Sequence, residues 1–546
     1  MLKLLDFVWH VCETLSPTPV VRHSSISVGR IKNGTLVDPF SAQARAGDLW
    51  ICDGKLVPVP ESCHADWLFD ASGMIVMPGA IDMHSHFVGP KVNAARSLNS
   101  RTHFIPGDRV LDERRPFVPH LHETGWRYAG LGYTTAFDAA VPPLYAAEAR
   151  HELELLPCVD AGFFALTGNH RFMLEAVQDG DLDRVTQFLH AVIKESGAWA
   201  AKLVNPGGVE DWKAGCRDGI NSLDQPLSEF NATPRQIIQF LARANESLEL
   251  PHAIHVHCNR LGLPGNWQTT LDTMKSVGEL RCHLAHIQFH SYRGADDEAS
   301  FGSAVDPLVD YVNTHPNISV DVGQVMFGET MSMTADSALG YYLQKVTGRP
   351  WISHDTELEC GCGISPIQYR RRDRIHGLQW AIGLEWMLKI QNPWQLALST
   401  DHPNGASFLS YPQIIALLMD RDFRRQQIEK LHDGVREHSD LYEIDREYSL
   451  SEIAIITRGA PAKLLGLSQK GHLQAGADAD LVIYAPVDDK RRMFEFPRMV
   501  LKGGRVILDD GEPVNSADRN SLIAPLAQAD DAAFEAWSSR HYSQRR

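Results

Sequence analysis

The sequence predicts an α/β protein: a (β/α)8 TIM-like barrel with a β-sandwich domain assembled from both chain ends. Three observations predict it. Eight strand-length apolar runs recur through the middle of the chain, separated by segments of helical periodicity. Polar residues gather at the carboxyl ends of those runs, which is where such barrels place their chemistry. Short β-rich stretches with tight-turn signals stand at both ends of the chain.

Residues 24–76 read as short strands broken at Lys32–Gly34, Cys52–Lys55 and Ala71–Gly73. The tail repeats this pattern over 476–486 and 498–514 around Gly-Gly and Asp-Gly turns. We therefore assign 25–76 plus 466–515 to a composite β-sandwich domain, 77–465 to the barrel and 516–546 to a C-terminal extension. The eight runs are 74–86, 133–140, 160–170, 198–208, 253–259, 282–290, 318–327 and 396–403. The gap before the last run exceeds an ordinary βα loop and predicts an insertion at about 330–395. This insertion carries Cys360, Cys362 and the basic string YRRRDR at 369–374.

The chain has 546 residues, 44% hydrophobic and 22% charged, with 41 glycines and 30 prolines, a balance that excludes a mainly disordered or collagen-like protein. Its formal charge of −16 argues against a nucleic-acid partner, since phosphate backbones select a basic face. Asp6 and His10 interrupt the apolar N-terminus, and no run reaches the roughly 18 apolar residues of a membrane span, so we expect an unexported, cytoplasmic protein without a membrane partner. Nine cysteines, an odd and sparse set, fit a reducing compartment. The 25 histidines direct the search toward metal chemistry.

His84-Ser85-His86 closes the first run. Residues i and i+2 of a strand face the same side, so two imidazoles there can share a metal, although the same spacing arises by chance at a strand end. Later strand ends add Lys202, His257, His286 and Asp401. Lys202 lies among Ala200, Ala201, Leu203 and Val204, which makes a solvated or interdomain salt bridge a poor fit for it. Cys360 and Cys362 lack two further nearby cysteines, so a turn or a loop over the site suits them better than a metal or redox pair.

In this order, PGAIDMHSH, VHCN, HLAHIQ and STDHP resemble the amidohydrolase superfamily, and GHLQAGADADLVIY resembles its return into the β-sandwich. The resemblance spans about 25–515. It implies two zinc or similar divalent ions, with His84 and His86 on the more buried one and His257 and His286 on the more exposed one. It also implies Lys202 as a bridging N6-carboxylysine and Asp401 as both ligand and proton-transferring base.

Longer strings, KLVNPGG, HCNRLGLPGNWQTTLDT, HIQFHSYRG, DTELECGCGI and STDHPNGASF, resemble the alpha subunit of formylmethanofuran dehydrogenase and its bacterial homologue in a formyltransferase/hydrolase complex. That likeness implies hydrolysis of an N-formyl amide on a methanofuran- or methylofuran-type carrier to formate and free amine, with other members of the complex as partners. His290, Asn259 and Arg260, which lie in these strings, become expected substrate contacts. The alternatives are the archaeal condensation of formate with methanofuran, a hydantoinase-like cyclic amidohydrolase and a non-catalytic scaffold within a complex. Arg370, Arg371, Arg372 and Arg374 read either as a solvated face or as a surface for an anionic carrier or an acidic partner.

Overall fold

The computed structural model of the chain describes residues 28–61, 64–98, 118–216, 219–294, 300–334, 348, 352–353 and 363–526. Eight parallel strands form the central sheet: β1 Ala80–Ser85, β2 Tyr133–Val141, β3 Asp160–Leu166 and β4 Ala200–Val204. They continue as β5 Ile254–His257, β6 Cys282–Leu284, β7 Ile318–Asp321 and β8 Leu396–Ala397. Each falls inside one of the eight runs, save that β2 runs one residue past its own to Val141, and they neighbour one another in sequence order. They are buried along their whole length, with side chains on one face filling the barrel and on the other meeting helices. This is why the sequence shows continuous apolar runs and little alternation.

The ring closes through a parallel bridge between Ser85 and His402. His86 N–H donates to the His402 carbonyl at 2.8 Å, and Ser399 Oγ donates to the His84 carbonyl at 2.7 Å. Outer helices take the expected start and stop signals. Leu182–Ser196 is capped by Asp181, which accepts from Arg184 N–H, and it ends at the left-handed Gly197. Pro234–Ser247 opens with a Thr233/Gln236 capping box.

The run at 74–86 is not one strand. Ile75–Pro78 belongs to a second, mixed sheet, and β1 begins after Gly79. A Cβ at Gly79 would lie 2.1 Å from Thr134 Oγ1, so glycine lets the chain pass between the two sheets against the start of β2. In the mixed sheet Ile75–Pro78 pairs antiparallel with Leu481–Tyr484, and the strands Val28–Leu36, Arg45–Cys52, Met499–Lys502 and Arg505–Asp509 extend it on either side. Both chain ends thus build one sheet.

A buried ion network joins that sheet to the barrel. Lys470 Nζ lies 2.6 Å from Asp160 Oδ2 and 2.9 Å from Asp480 Oδ2, and Lys502 Nζ lies 2.8 and 2.9 Å from the same two atoms. Beyond 515 the chain still packs on the barrel, where Ser521 bridges to Ala161. Residues 527–546 lie outside the described set.

The insertion between β7 and β8 holds an antiparallel sheet of Gly328–Thr334, Gly363–Tyr369 and Ile352–Ser353, followed by the helix Arg374–Lys389. Cys360 and Cys362 lie outside the described residues. Among the described residues, no helix is long and apolar enough to cross a membrane.

Candidate metal centre

The carboxyl ends of the strands deliver the expected ligands to one place. His84 and His86 come from the end of β1, Lys202 from the middle of β4 and His257 from the last position of β5. His286 and Asp401 follow β6 and β8. All six line a cavity of about 430 Å³. His286 and Asp401 hold left-handed backbone, φ 34° and 49°, at a cost on the order of 1–3 kcal/mol each. Side-chain anchors hold them there: Asp321 Oδ1 accepts from His286 N–H at 2.7 Å, and Ser399 Oγ accepts from Asp401 N–H at 2.8 Å.

His84 Nε2 and His86 Nε2 lie 3.3 and 2.9 Å from Asp401 Oδ1. The opposite faces of both rings meet carboxylates. His84 Nδ1 donates to Asp321 Oδ2 at 2.8 Å, and His86 Nδ1 lies 3.5 Å from Asp138 Oδ1. Asp138 Oδ2 is fixed in turn by Phe87 and Val88 N–H at 2.8 and 2.9 Å. Carboxylates behind imidazoles are the arrangement that orients histidines toward a metal. On the far side His257 and His286 meet edge to face, with ring centroids 4.6 Å apart.

The electrostatics fit divalent cations. Burial pushes the Lys202 ammonium down to about 7, and its Nζ has no hydrogen-bond partner among the described residues. A salt bridge therefore does not account for this lysine. Burial, reinforced by neighbouring rings, drives His257 and His286 well below their usual range, so they stand as neutral donors. For His84, burial would lower the value, but Asp321 and Asp401 raise it, so the surroundings favour positive charge. Burial alone would raise the Asp401 carboxyl, yet His286 and His84 hold it well below the carboxylate range. His84 Nε2, on the side facing Asp401, is buried without a hydrogen-bond partner among the described residues, as are His257 Nε2 and His286 Nδ1, which suits a site built around ions.

The three expected substrate contacts, Asn259, Arg260 and His290, are not among the residues that line the cavity. Asn259 is fully buried and donates to Asn205 Oδ1 at 2.7 Å and to the Pro206 carbonyl at 3.0 Å, so it braces the loop after β4. Arg260 turns toward Asn221 and the Pro264 carbonyl. His290 is fully buried beside His257 and His286, stacked on His286 with centroids 5.2 Å apart; each of the three rings brings a nitrogen within 4.8 Å of the others, and neither nitrogen of His290 has a hydrogen-bond partner among the described residues. His283, early in β6, packs inside the barrel against Ser319 and Asp321. Asp321, Asp138 and Asn404 were missed. Asp321 closes a strand, a signal the sequence does carry, whereas Asp138 lies inside β2 and Asn404 beyond β8.

Residues 68–508 match the amidohydrolase family. The chain belongs to that family. Protein FwdA of Methanocaldococcus jannaschii is 39% identical over 529 residues, covering 92% of each chain. The FhcA component of the Methylorubrum extorquens formyltransferase/hydrolase complex is 39% identical over 499 residues, covering 89% of each. Among solved structures, the Methylorubrum extorquens formyltransferase/hydrolase complex FhcABCD bound to methylofuran contains a chain 37% identical to this one, with a TM-score of 0.88 and 95% and 94% of the two chains covered. Within the amidohydrolase family, this chain therefore groups with the FwdA and FhcA proteins.

Proposed function

We propose that this chain hydrolyses the N-formyl amide of a methylofuran- or methanofuran-type carrier to formate and free amine, working within a formyltransferase/hydrolase complex. The convergence of four histidines, Lys202 and Asp401 on one cavity, in a chain 39% identical to an FhcA protein, carries this reading. His84, His86 and Asp401 would hold one divalent ion, and His257 and His286 a second. Zinc suits these nitrogen and oxygen donors, and when bound it supplies Lewis acidity and brings the pKa of water to near 7.

Lys202, as N6-carboxylysine, would hold both ions. Its amine, brought down to about 7 by burial and so partly uncharged at neutral pH, adds to the carbon of CO2 and loses a proton, which leaves an anionic carbamate. Asp401 takes the proton of the attacking water as the water oxygen bonds to the formyl carbon. It returns that proton to the amine nitrogen as the C–N bond breaks. Leu261, Phe289 and Tyr369 form an apolar wall that limits bulk water beside the reacting carbon.

Arg370–Arg374 lies between Tyr369 and Ile375, which both line the cavity. Arg370 and Arg372 are exposed there. This favours docking of an anionic carrier tail over a merely solvated face. Equal likeness to FwdA supports a second reading, in which the same groups run in reverse and condense formate with the amine.

The test is formate release from N-furfurylformamide and from formyl-methylofuran by metal-loaded protein. Release from either supports the proposal. A chain carrying both ions that releases formate from neither, but opens hydantoin or dihydrouracil, belongs with the cyclic-amide hydrolases.

A further inference from the structure

Asn404 lies three residues after Asp401 and faces two ways. Its Oδ1 accepts from Met333 N–H at 2.6 Å, on the insertion strand Gly328–Thr334, and its Nδ2 donates to Asp401 Oδ1 at 3.0 Å. A backbone N–H can only donate, so the amide cannot flip and the donation to Asp401 is enforced. The main chain is fixed as well. Tyr369 Oη donates to the Asn404 carbonyl at 3.1 Å, Asn404 N–H to the Asp401 carbonyl at 2.7 Å, and Thr330 to the Pro403 carbonyl. At Gly405 a Cβ would meet three carbonyl oxygens at 2.7 Å.

We infer that Asn404 is a positioning residue for Asp401, through which the insertion sets the orientation of the catalytic carboxylate. The inference rests on the proposed role of Asp401. Among the described residues, the contacts of this carboxylate converge on Oδ1, where His84, His86 and Asn404 all approach. A neutral donor there fixes the plane of the carboxylate without adding charge, and it leaves Oδ2 as the oxygen for proton transfer. The insertion strands that carry Met333 and Tyr369 also line the substrate cavity, so their packing and the aim of the base are mechanically joined.

Two variants separate orientation from bracing. Asn404→Ala removes both side-chain bonds. Asn404→Asp keeps an oxygen for Met333 N–H but replaces the donor to Asp401 with an acceptor. Metal affinity is read by competition with a chelator, and kcat and KM with N-furfurylformamide. Loss of a supporting bond of this kind typically costs about 10–100-fold in affinity or activity. The inference requires Asn404→Asp to be impaired at least as much as Asn404→Ala, in kcat more than in KM. If Asn404→Asp matches wild type in both readouts while Asn404→Ala does not, the residue only braces the strand and the inference falls. If both variants match wild type, it falls as well. Wild-type protein that binds metal but releases no formate overturns the proposed function instead, and chelator competition still decides the role of Asn404.

Discussion

Asp321 Oδ2 accepts from His84 Nδ1 at 2.8 Å, tying a candidate ligand on the first barrel strand to the carboxyl end of the seventh. The same carboxylate reaches His283 Nε2 at 3.1 Å and, through Oδ1, His286 N–H at 2.7 Å. One aspartate therefore supports ligands of both proposed ions. Asp321→Asn should weaken metal binding by about 10–100-fold in chelator competition. Unchanged affinity would remove Asp321 from the support of the centre.

Asp401 and Lys202 should fail differently. Asp401→Asn keeps the shape and an oxygen donor but cannot take a proton at neutral pH. It should retain most metal by elemental analysis while formate release falls by about 10²–10⁴-fold. Lys202→Ala should lose both metal and activity, with partial rescue by a small carboxylic acid plus excess metal. Full activity in metal-loaded Asp401→Asn would send the proton elsewhere.

The arginine segment should act through charge. Replacing Arg370 and Arg372 with glutamine should raise KM for a glutamate-tailed carrier several-fold at low salt. The difference should shrink toward 1 M salt, where the screening length is about 3 Å. KM for N-furfurylformamide, which has no tail, should not move. Equal effects on both substrates would indicate a disturbed cavity.

The network at the sheet junction predicts a pH window. Burial would raise Asp480, but Lys470 and Lys502 hold it below the usual range, so its stabilisation is present above the unfolded value of about 3.9 and fades as pH falls below it. Lys470 is the reverse. Burial would lower it, but Asp480 and Asp160 raise it, so its contribution is present below about 10.4 and is lost as pH climbs past that. Asp480→Asn should cost about 3–5 kcal/mol at neutral pH, because it leaves buried lysines underpaired. Its urea midpoint should then fall less than that of wild type between neutral pH and about pH 3. Parallel falls would assign the acid sensitivity to other groups.

The barrel was legible because strands buried on both faces leave continuous apolar runs, and because a barrel concentrates polar residues at one end of each. The same rule held Asp321, at the end of β7, but a single aspartate closing an apolar run does not announce that its partner is an imidazole on another strand, and Asp138, inside β2, gave no such sign. The place of Asn259 was not legible, because the chain leaves β5 at His257 and the following turn points its amide back to Asn205. His290 sits in the 3-10 turn Ile287–His290, which folds its ring against His257 and His286, where an extended loop would have carried it outward. The left-handed conformations of His286 and Asp401 leave no mark in residue type, since both are non-glycine positions held by tertiary hydrogen bonds.

The pairing of Ile75–Pro78 with Leu481–Tyr484 sets a schedule for synthesis. The ribosome delivers the first of these strands before the barrel and the second after it. Until the second emerges, Ile75–Pro78 has an open edge and nothing on that side to satisfy its backbone. Release or cleavage of the nascent chain before Leu481 would yield a barrel whose first strand has no outer neighbour at its root, a species marked for aggregation or degradation.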